Sequence, residues 1–163
     1  MLTHGTSLLT ILILAFVLFD FLLEFILDYR NSKTWDKPIP KELQGIYDAE
    51  KYAKARNYHK ATERLSLITS VFSTVLIVIF LSMKGFAFVH IQIAAITTSP
   101  VLQSLIFFGL FAIVSDIIGL PFELYGIFVI EEKYGFNKMT WKTYLSDKIK
   151  GYLLGGVIGG ILL

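Results

Sequence analysis

The chain has 163 residues, of which 55% are hydrophobic and 17% are charged, and its formal net charge at pH 7 is +2. So small an excess of positive charge argues against a nucleic-acid partner. The absence of cysteine excludes a disulfide framework and a thiolate metal site. A positive mean hydropathy leaves two classes of protein, one compact hydrophobic domain or a bundle of membrane-spanning helices.

Three long apolar runs decide between these two classes. They cover residues 8–27, 65–83 and 101–120. A hydrocarbon core of roughly 30 Å requires about 20 predominantly apolar residues in a helix. Backbone groups in lipid must also satisfy their hydrogen bonds internally, which favours helices over loops and open strands. The sequence therefore predicts an all-α, polytopic transmembrane bundle with three full spans plus a truncated fourth.

Acidic residues interrupt two of the three runs. Asp20 and Glu24 lie in the first run, four residues apart and in step with Asp28, and Asp116 lies in the third. A carboxylate near the bilayer centre costs about 3 kcal/mol, so such groups usually face a bundle interior or a water-filled cavity. Asp20, Glu24 and Asp116 are therefore predicted to face a polar chamber. Two alternatives remain open: Glu24 and Asp28 sit at the membrane interface, or the acids relay protons or ions.

The connection of residues 28–64 is predicted to contain a helix. The proline-containing segment KPIP is followed by residues with high helix propensity. Among them, Glu50 and Lys54 have the i, i+4 spacing that allows an ion pair on a helix. We expect this helix to begin at about Lys41 and to continue into the second span. Its aromatic and alkyl residues suggest packing against another cytoplasmic element, and the alternative is a solvated charged helix.

The second long connection, residues 121–148, follows the third run. Pro121 lacks a backbone N–H, which predicts a loosened helix end at this point. The following residues read as a partly β-like stretch with a turn at Gly135. A short interfacial helix capped by Thr140 is predicted next, with aromatic and lysine side chains at headgroup depth.

A fourth apolar run covers residues 149–163. Its 13 glycine-rich residues from Gly151 onwards would extend only about 20 Å as a helix, which is too short for the bilayer core. We interpret the run as a truncated fourth span in a fragment of a longer protein, with a re-entrant helix as the alternative. Gly151, Gly155 and Gly159 have the spacing that allows close packing of two membrane helices.

The distribution of lysine and arginine predicts the orientation. These residues concentrate in the connections 28–64 and 121–148, whereas the connection from Lys84 to Pro100 contains one lysine. The positive-inside rule therefore places both basic connections in the cytoplasm, and the N-terminus outside or in a lumen. The predicted location is an integral, multi-pass position in the lipid bilayer.

Two stretches resemble a known family. The first is the string GLPFELYGIFVIEEKYGFNKMT, followed by DKIK. It is similar to the N-terminal membrane domain of the CAAX prenyl protease 1 family, whose members are integral-membrane zinc metallopeptidases. The earlier stretch beginning PKEL resembles the family's cytoplasmic connection, through Pro40, Glu42, Leu43, Asp48, Lys54, Arg56 and Tyr58. The resemblance implies a helical wall around a large water-filled chamber. It also implies that Glu131, Glu132, Lys133 and Asn137 lie at the active-site mouth, where they would contact a missing C-terminal catalytic domain or substrate.

The sequence departs from the family at the catalytic motif. The family's zinc is held by H-E-x-x-H and a later glutamate, but His4, His59 and His90 belong to no such motif. No catalytic or metal-binding residue can be assigned, so zinc is expected only in the full-length parent. An alternative for the loop is that Phe128, Gly135 and Phe136 fix its fold while its charges remain solvated.

Two functions are consistent with these observations. In the first, the chain is the noncatalytic membrane domain of a zinc endopeptidase, and is itself inactive. It would then contact the lipid bilayer and the C-terminal catalytic domain, and it would bind a prenylated or other membrane-associated peptide. Self-association with further copies of the chain is a further expectation. In the second, the chain is a complete small scaffold, binding or ion-handling membrane protein.

Overall fold

The computed structural model describes residues 8–35 and 48–162. Within these residues the chain is helical and contains no strand. The helices are α1 (Leu8–Trp35), α2 (Ala49–Ser82), α3 (Gly85–Ile96), α4 (Pro100–Tyr125), a π-helical segment (Gly126–Glu131), the single turn α5 (Glu132–Tyr134) and α6 (Trp141–Leu162).

Three helical runs among the described residues are long and apolar enough to cross a membrane. They are Leu8–Lys33, Ala49–Ser82 and Pro100–Tyr134, and each contains one of the three predicted spans nearly in full. The prediction of a polytopic helical bundle is therefore confirmed. Few side chains are buried, and large apolar side chains such as Phe16 and Ile68 are more than half exposed, as expected for helices whose solvent is lipid.

Helix α2 begins later than predicted. Asp48 has extended backbone angles, and its side chain accepts a hydrogen bond from the Glu50 N–H at 2.9 Å. This N-cap satisfies one of the free amides of the first turn, and the extended backbone of Asp48 sets the start of α2 at Ala49. The prediction of one continuous helix from about Lys41 is therefore wrong at its start, and Lys41 itself lies outside the described residues. From Ala49 onwards the helix does continue into the second span.

A short apolar helix, α3, lies in the connection between the second and third spans. Lys84 adopts a left-handed conformation, with φ of 57°, and reverses the chain between α2 and α3. The rings of Phe80, Phe86, Phe107 and Phe111 then form one cluster, with neighbouring centroids 4.8 to 6.3 Å apart. This cluster joins α2, α3 and α4. No element was predicted here, because 12 residues are too few for a span.

The β-like stretch predicted after Pro121 is not present. Pro121 lies inside α4, and the helix continues as the π-helical segment and then α5. The Val, Ile and Phe residues that favour a strand instead pack as helical side chains, and Ile130 is buried. In a membrane-associated segment a helix satisfies its own backbone, whereas an isolated strand does not. The turn predicted at Gly135 is confirmed, with φ of 69°.

The predicted interfacial helix and fourth span form one helix, α6. The Thr143 N–H donates to the Thr140 hydroxyl oxygen at 3.2 Å, which confirms Thr140 as the cap of the helix. The helix then runs without interruption from Trp141 to Leu162. Its first half contacts α4, and this contact contains the principal polar cluster of the described residues.

Candidate functional site

The principal polar cluster joins α4 to α6 around Asp116. The Lys148 ammonium donates a hydrogen bond to one carboxylate oxygen of Asp116, and the Tyr152 hydroxyl donates to the other. Both donors come from α6, one helical turn apart. A carboxylate that would be costly as an isolated charge at this depth therefore has a cation and a hydroxyl as partners.

The cluster extends two turns along α4, from Asp116 to Glu123. Lys148 Nζ also lies 2.8 Å from a carboxylate oxygen of Glu123. The buried Tyr144 donates its hydroxyl proton to the same oxygen at 3.0 Å. One lysine thus bridges two carboxylates of α4, and a tyrosine on either side along α6 completes the hydrogen bonding.

Aromatic packing fixes the beginning of α6 beside this cluster. The rings of Phe128 and Trp141 are parallel, with an interplanar angle of 4° and centroids 4.0 Å apart. The Tyr144 ring meets Phe128 edge-on at 6.0 Å. The π-helical segment that contains Phe128 therefore supplies the surface on which α6 begins.

The electrostatics of the cluster keep Lys148 charged. Hydrogen bonds to Asp116 and then to Glu123 raise the pKa of Lys148 above its usual value, in opposition to the effect of burial. Burial, followed by the hydrogen bond to Glu123, raises the pKa of the Tyr144 hydroxyl. Neither donor therefore gives up its proton readily at neutral pH. The cluster keeps Lys148 charged and orients α6 against α4.

Sequence reasoning identified Asp116 and missed its partners. Glu123 follows Asp116 by seven residues, which places both on one face of a helix. Tyr144, Lys148 and Tyr152 repeat at four-residue steps, which also defines one face. These two complementary faces were present in the sequence, but no pattern within either run indicated that α6 packs against α4.

A groove lined by polar side chains and by the apolar side chains of Leu65 and Phe122 runs between α2 and α4 next to the cluster. It has a volume of about 580 Å³, and its polar lining consists of Thr62, Ser66, Thr69, Ser70, Ser115, Asp116 and Glu123. The Thr62 and Thr69 hydroxyls donate to carbonyl oxygens of their own helix, at 3.0 and 2.9 Å. The groove therefore presents serine hydroxyls and carboxylates in a region where the same helices are otherwise apolar.

The acids of α1 are not brought to this groove. Asp20 and Glu24 are exposed, and α1 packs against α2. Within the described part of the chain neither side chain forms a hydrogen bond or an ion pair. Their assignment to a chamber remains a prediction, as does that of Asp116.

The four charged or polar residues assigned to the mouth loop take part mainly in the fold of the loop itself. The Asn137 side-chain amide donates to the Glu132 carboxylate at 3.0 Å, and its oxygen accepts from the Met139 N–H at 2.7 Å. The Glu131 carbonyl accepts from the backbone N–H groups of residues 136 and 137. The Lys133 ammonium lies 5.6 Å from the ring centroid of Tyr134. Whether these residues also contact another domain or substrate remains a prediction.

The loop docks on the part of α2 that precedes the membrane span. The Tyr58 ring contacts Phe136 at 4.7 Å and Tyr134 at 5.8 Å between centroids. The Lys54 ammonium lies 5.5 Å from the Phe136 centroid. The two basic connections are thus joined by an aromatic contact, as expected from the aromatic residues of the first connection.

Replacing Gly135 with alanine is expected to weaken this loop by about 1 kcal/mol. Alanine at a positive φ is strained, and its Cβ would lie 3.3 Å from Lys54 Nζ. The change is measured as faster proteolysis at residues 135–140 and a lower melting temperature. Gly135→Asn is the matched control, because asparagine tolerates this conformation; equal losses for both variants would contradict a conformational cause.

The glycine face of α6 has no partner among the described residues. A Cβ built at Gly151, Gly155 or Gly159 meets no other atom within 4 Å. The assignment of these residues to helix packing therefore remains a prediction.

The described residues do not fit a zinc site. They contain no group of three or more His, Asp or Glu side chains placed to hold a metal ion. His59 pairs with Glu63 on the same helix, at 3.0 Å, and His90 lies on α3. His4 lies outside the described residues. No step of metal chemistry is therefore derived from this chain.

These observations define a helical domain of an integral, multi-pass membrane protein, with a polar groove and a charged helix junction inside its apolar frame. The chain belongs to the family described as CAAX prenyl protease N-terminal, five membrane helices, whose model matches residues 28–163.

Curated relatives agree with this assignment. The chain is 32% identical to CAAX prenyl protease 1 of Saccharomyces cerevisiae over 94% of its own length, and 31% identical to the CAAX prenyl protease 1 homolog of Mus musculus over 71%. These alignments cover 36% and 26% of the relatives. The crystal structure of Ste24p from S. mikatae superposes with a TM-score of 0.85 at 31% identity, covering 97% of this chain and 38% of that one. The chain thus spans about a third of the length of the proteins it matches.

Proposed function

We propose that the chain is the noncatalytic N-terminal membrane domain of an integral-membrane zinc metalloendopeptidase that resembles CAAX prenyl protease. Membership of the N-terminal family over residues 28–163 supports this function. The chain has no H-E-x-x-H sequence, so zinc and the groups that hold it would belong to a C-terminal catalytic domain. Substrates would be prenylated or other membrane-associated peptides.

The groove between α2 and α4 supports a role in an intramembrane chamber. Serine hydroxyls are more favourable in water than in lipid, and the Asp116 and Glu123 carboxylates, paired with Lys148, lie on the same face, so this face suits an aqueous wall. Asp20 and Glu24 would face the same chamber once further helices cover α1. This groove is the single observation on which the chamber role depends.

The mouth loop would lie between this domain and the catalytic domain. In this proposal the basic connections face the cytoplasm, and the N-terminus lies outside or in a lumen. Within the described residues, neither Glu131 nor Lys133 forms a side-chain hydrogen bond or an ion pair, which leaves their charges available to a second domain. The glycine face of α6 would pack against a further helix or a second copy of the chain.

The chamber role is tested by cysteine labelling, because the chain contains no cysteine of its own. Ser66→Cys and Ser115→Cys are placed singly in the whole protein, in a background without other cysteines. Each is exposed to a charged, water-soluble thiol reagent in membranes. A water-filled groove predicts labelling at both positions, because only a solvated thiol ionises and reacts readily.

The matched control is Ile68→Cys on the same helix. Ile68 is 59% exposed but lies on the other face of α2, so lipid rather than water is expected to cover it. At least a tenfold slower reaction is expected there. Equal rates at Ser66 and Ile68 would contradict an aqueous groove, whereas absence of reaction at all three positions would contradict the chamber.

A further inference from the structure

A cleft of mixed charge lies between α1 and α2, away from the α4 and α6 cluster. Its volume is about 310 Å³, and it is lined by Phe25, Asp28, Tyr29 and Ser32 of α1 and by Lys60, Glu63, Arg64 and Leu67 of α2. This volume is at the lower end of the range for small-molecule sites. The family assignment and the proposed chamber make no use of it.

The cleft lies at the membrane boundary that the sequence predicts. The apolar run of α1 ends at Leu27, one residue before Asp28, and the apolar run of α2 begins at Leu65, one residue after Arg64. Both helices therefore change from apolar to charged sequence at the cleft. Phe25 and Leu67 lie on the membrane side, and Tyr29 is a residue type enriched at headgroup depth.

Two of the charged residues that line the cleft, Asp28 and Arg64, have opposite charges and do not pair with each other. Within residues 8–35 and 48–162, neither Asp28 nor Arg64 forms an ion pair or a side-chain hydrogen bond. The Glu63 carboxylate lies 3.0 Å from His59 and is about one quarter exposed. Arg64 and Asp28 thus present one cation and one carboxylate to the same space.

We propose that this cleft binds the headgroup of a phospholipid that carries both a phosphate and a primary ammonium, as phosphatidylethanolamine does. Arg64 would bind the phosphate, since guanidinium groups recognise phosphate through paired hydrogen bonds. Asp28, with Glu63, would accept hydrogen bonds from the ammonium. The acyl chains would extend past Phe25 and Leu67 along the exposed apolar surface of α1.

The balance of charges selects this class of lipid. An anionic headgroup without an amine would satisfy Arg64 but place negative charge beside Asp28. A quaternary ammonium has no N–H to donate to a carboxylate. Only a headgroup with both charges and a donating amine pairs with both walls of the cleft.

The test compares lipids that share acyl chains. The whole protein is reconstituted in nanodiscs with equal amounts of phosphatidylethanolamine, phosphatidylcholine and phosphatidylglycerol, and retained lipid is counted by native mass spectrometry. The expected result is one preferentially retained phosphatidylethanolamine, at least about fivefold over the other two. Asp28→Asn is expected to abolish the preference over phosphatidylglycerol, and Arg64→Gln to reduce retention of both lipids.

Control variants are Asp147→Asn and Lys142→Gln, both exposed on α6 and outside the cleft. They should leave retention unchanged, and circular dichroism verifies the helical content of every variant. Retention without headgroup preference, or an unchanged preference in Asp28→Asn, would overturn the proposal. Displacement of the lipid by an equal concentration of free phosphoethanolamine would also overturn it, because the site would then recognise a soluble solute.

Discussion

Replacing Lys148 with methionine is expected to destabilise the packing of α6 on α4 by about 2 kcal/mol. The variant leaves the Asp116 and Glu123 carboxylates without their shared cation. Removing one partner of a fully buried pair costs about 3 to 5 kcal/mol, and an exposed pair contributes less than about 1 kcal/mol. An intermediate value is expected, because the Lys148 side chain is 20% exposed and its partners are 26% and 40% exposed. Thermal unfolding in detergent measures the loss.

Lys150→Met is the matched control for this prediction. Lys150 lies two residues further along α6, is 72% exposed, and pairs with Asp147 at 3.4 Å. Its replacement should change stability by less than about 0.5 kcal/mol. Equal losses at Lys148 and Lys150 would show that the helix responds to any lost charge and that the bridge to α4 contributes nothing specific.

Replacing Gly85 with alanine is expected to cost about 1 to 3 kcal/mol. The Gly85 residue is buried, and a Cβ there would lie 2.5 Å from the Phe80 ring. That ring is held edge-on by Phe86 at 4.9 Å and by Phe111 at 5.6 Å, so it cannot move without disturbing the aromatic cluster. A lower melting temperature and a smaller yield of monodisperse protein are the expected results.

Gly109→Ala on α4 is the matched control, and no loss of stability is expected from it. No atom lies within 4 Å of a Cβ at Gly109. Alanine has the higher helix propensity by about 1 kcal/mol, so this variant should be neutral or slightly stabilised. A loss at Gly109 equal to that at Gly85 would contradict steric overpacking as the cause.

The spans were predictable because lipid leaves the backbone few choices. A run such as residues 65–83, without a charge, has no satisfactory conformation in a bilayer except a helix. The boundaries were less predictable because they depend on local hydrogen bonds. The Asp48 cap determines where α2 begins, and the helix through Pro121 depends on packing of the residues that follow.

The candidate site was predictable only in part. The cost of a charge in lipid identified Asp116, but not which cation would neutralise it. Lys148 precedes the fourth apolar run and resembled an interfacial lysine, whereas α6 turns it towards α4. Asp20 and Glu24 have the same sequence signal as Asp116 and receive no partner from the described residues. Position in the bundle, rather than residue type, separates these cases.

The π-helical segment from Gly126 to Glu131 has a consequence for tolerance to insertions and deletions. A π-helix has wider turns than an α-helix, so the segment rotates every following residue about the helix axis. The rings of Tyr134 and Phe136 therefore contact Tyr58 only when the segment has its present six residues. A one-residue deletion that restored an α-helical phase would turn these rings towards a different side of the bundle. The length of this segment is therefore under a constraint that single substitutions do not reveal.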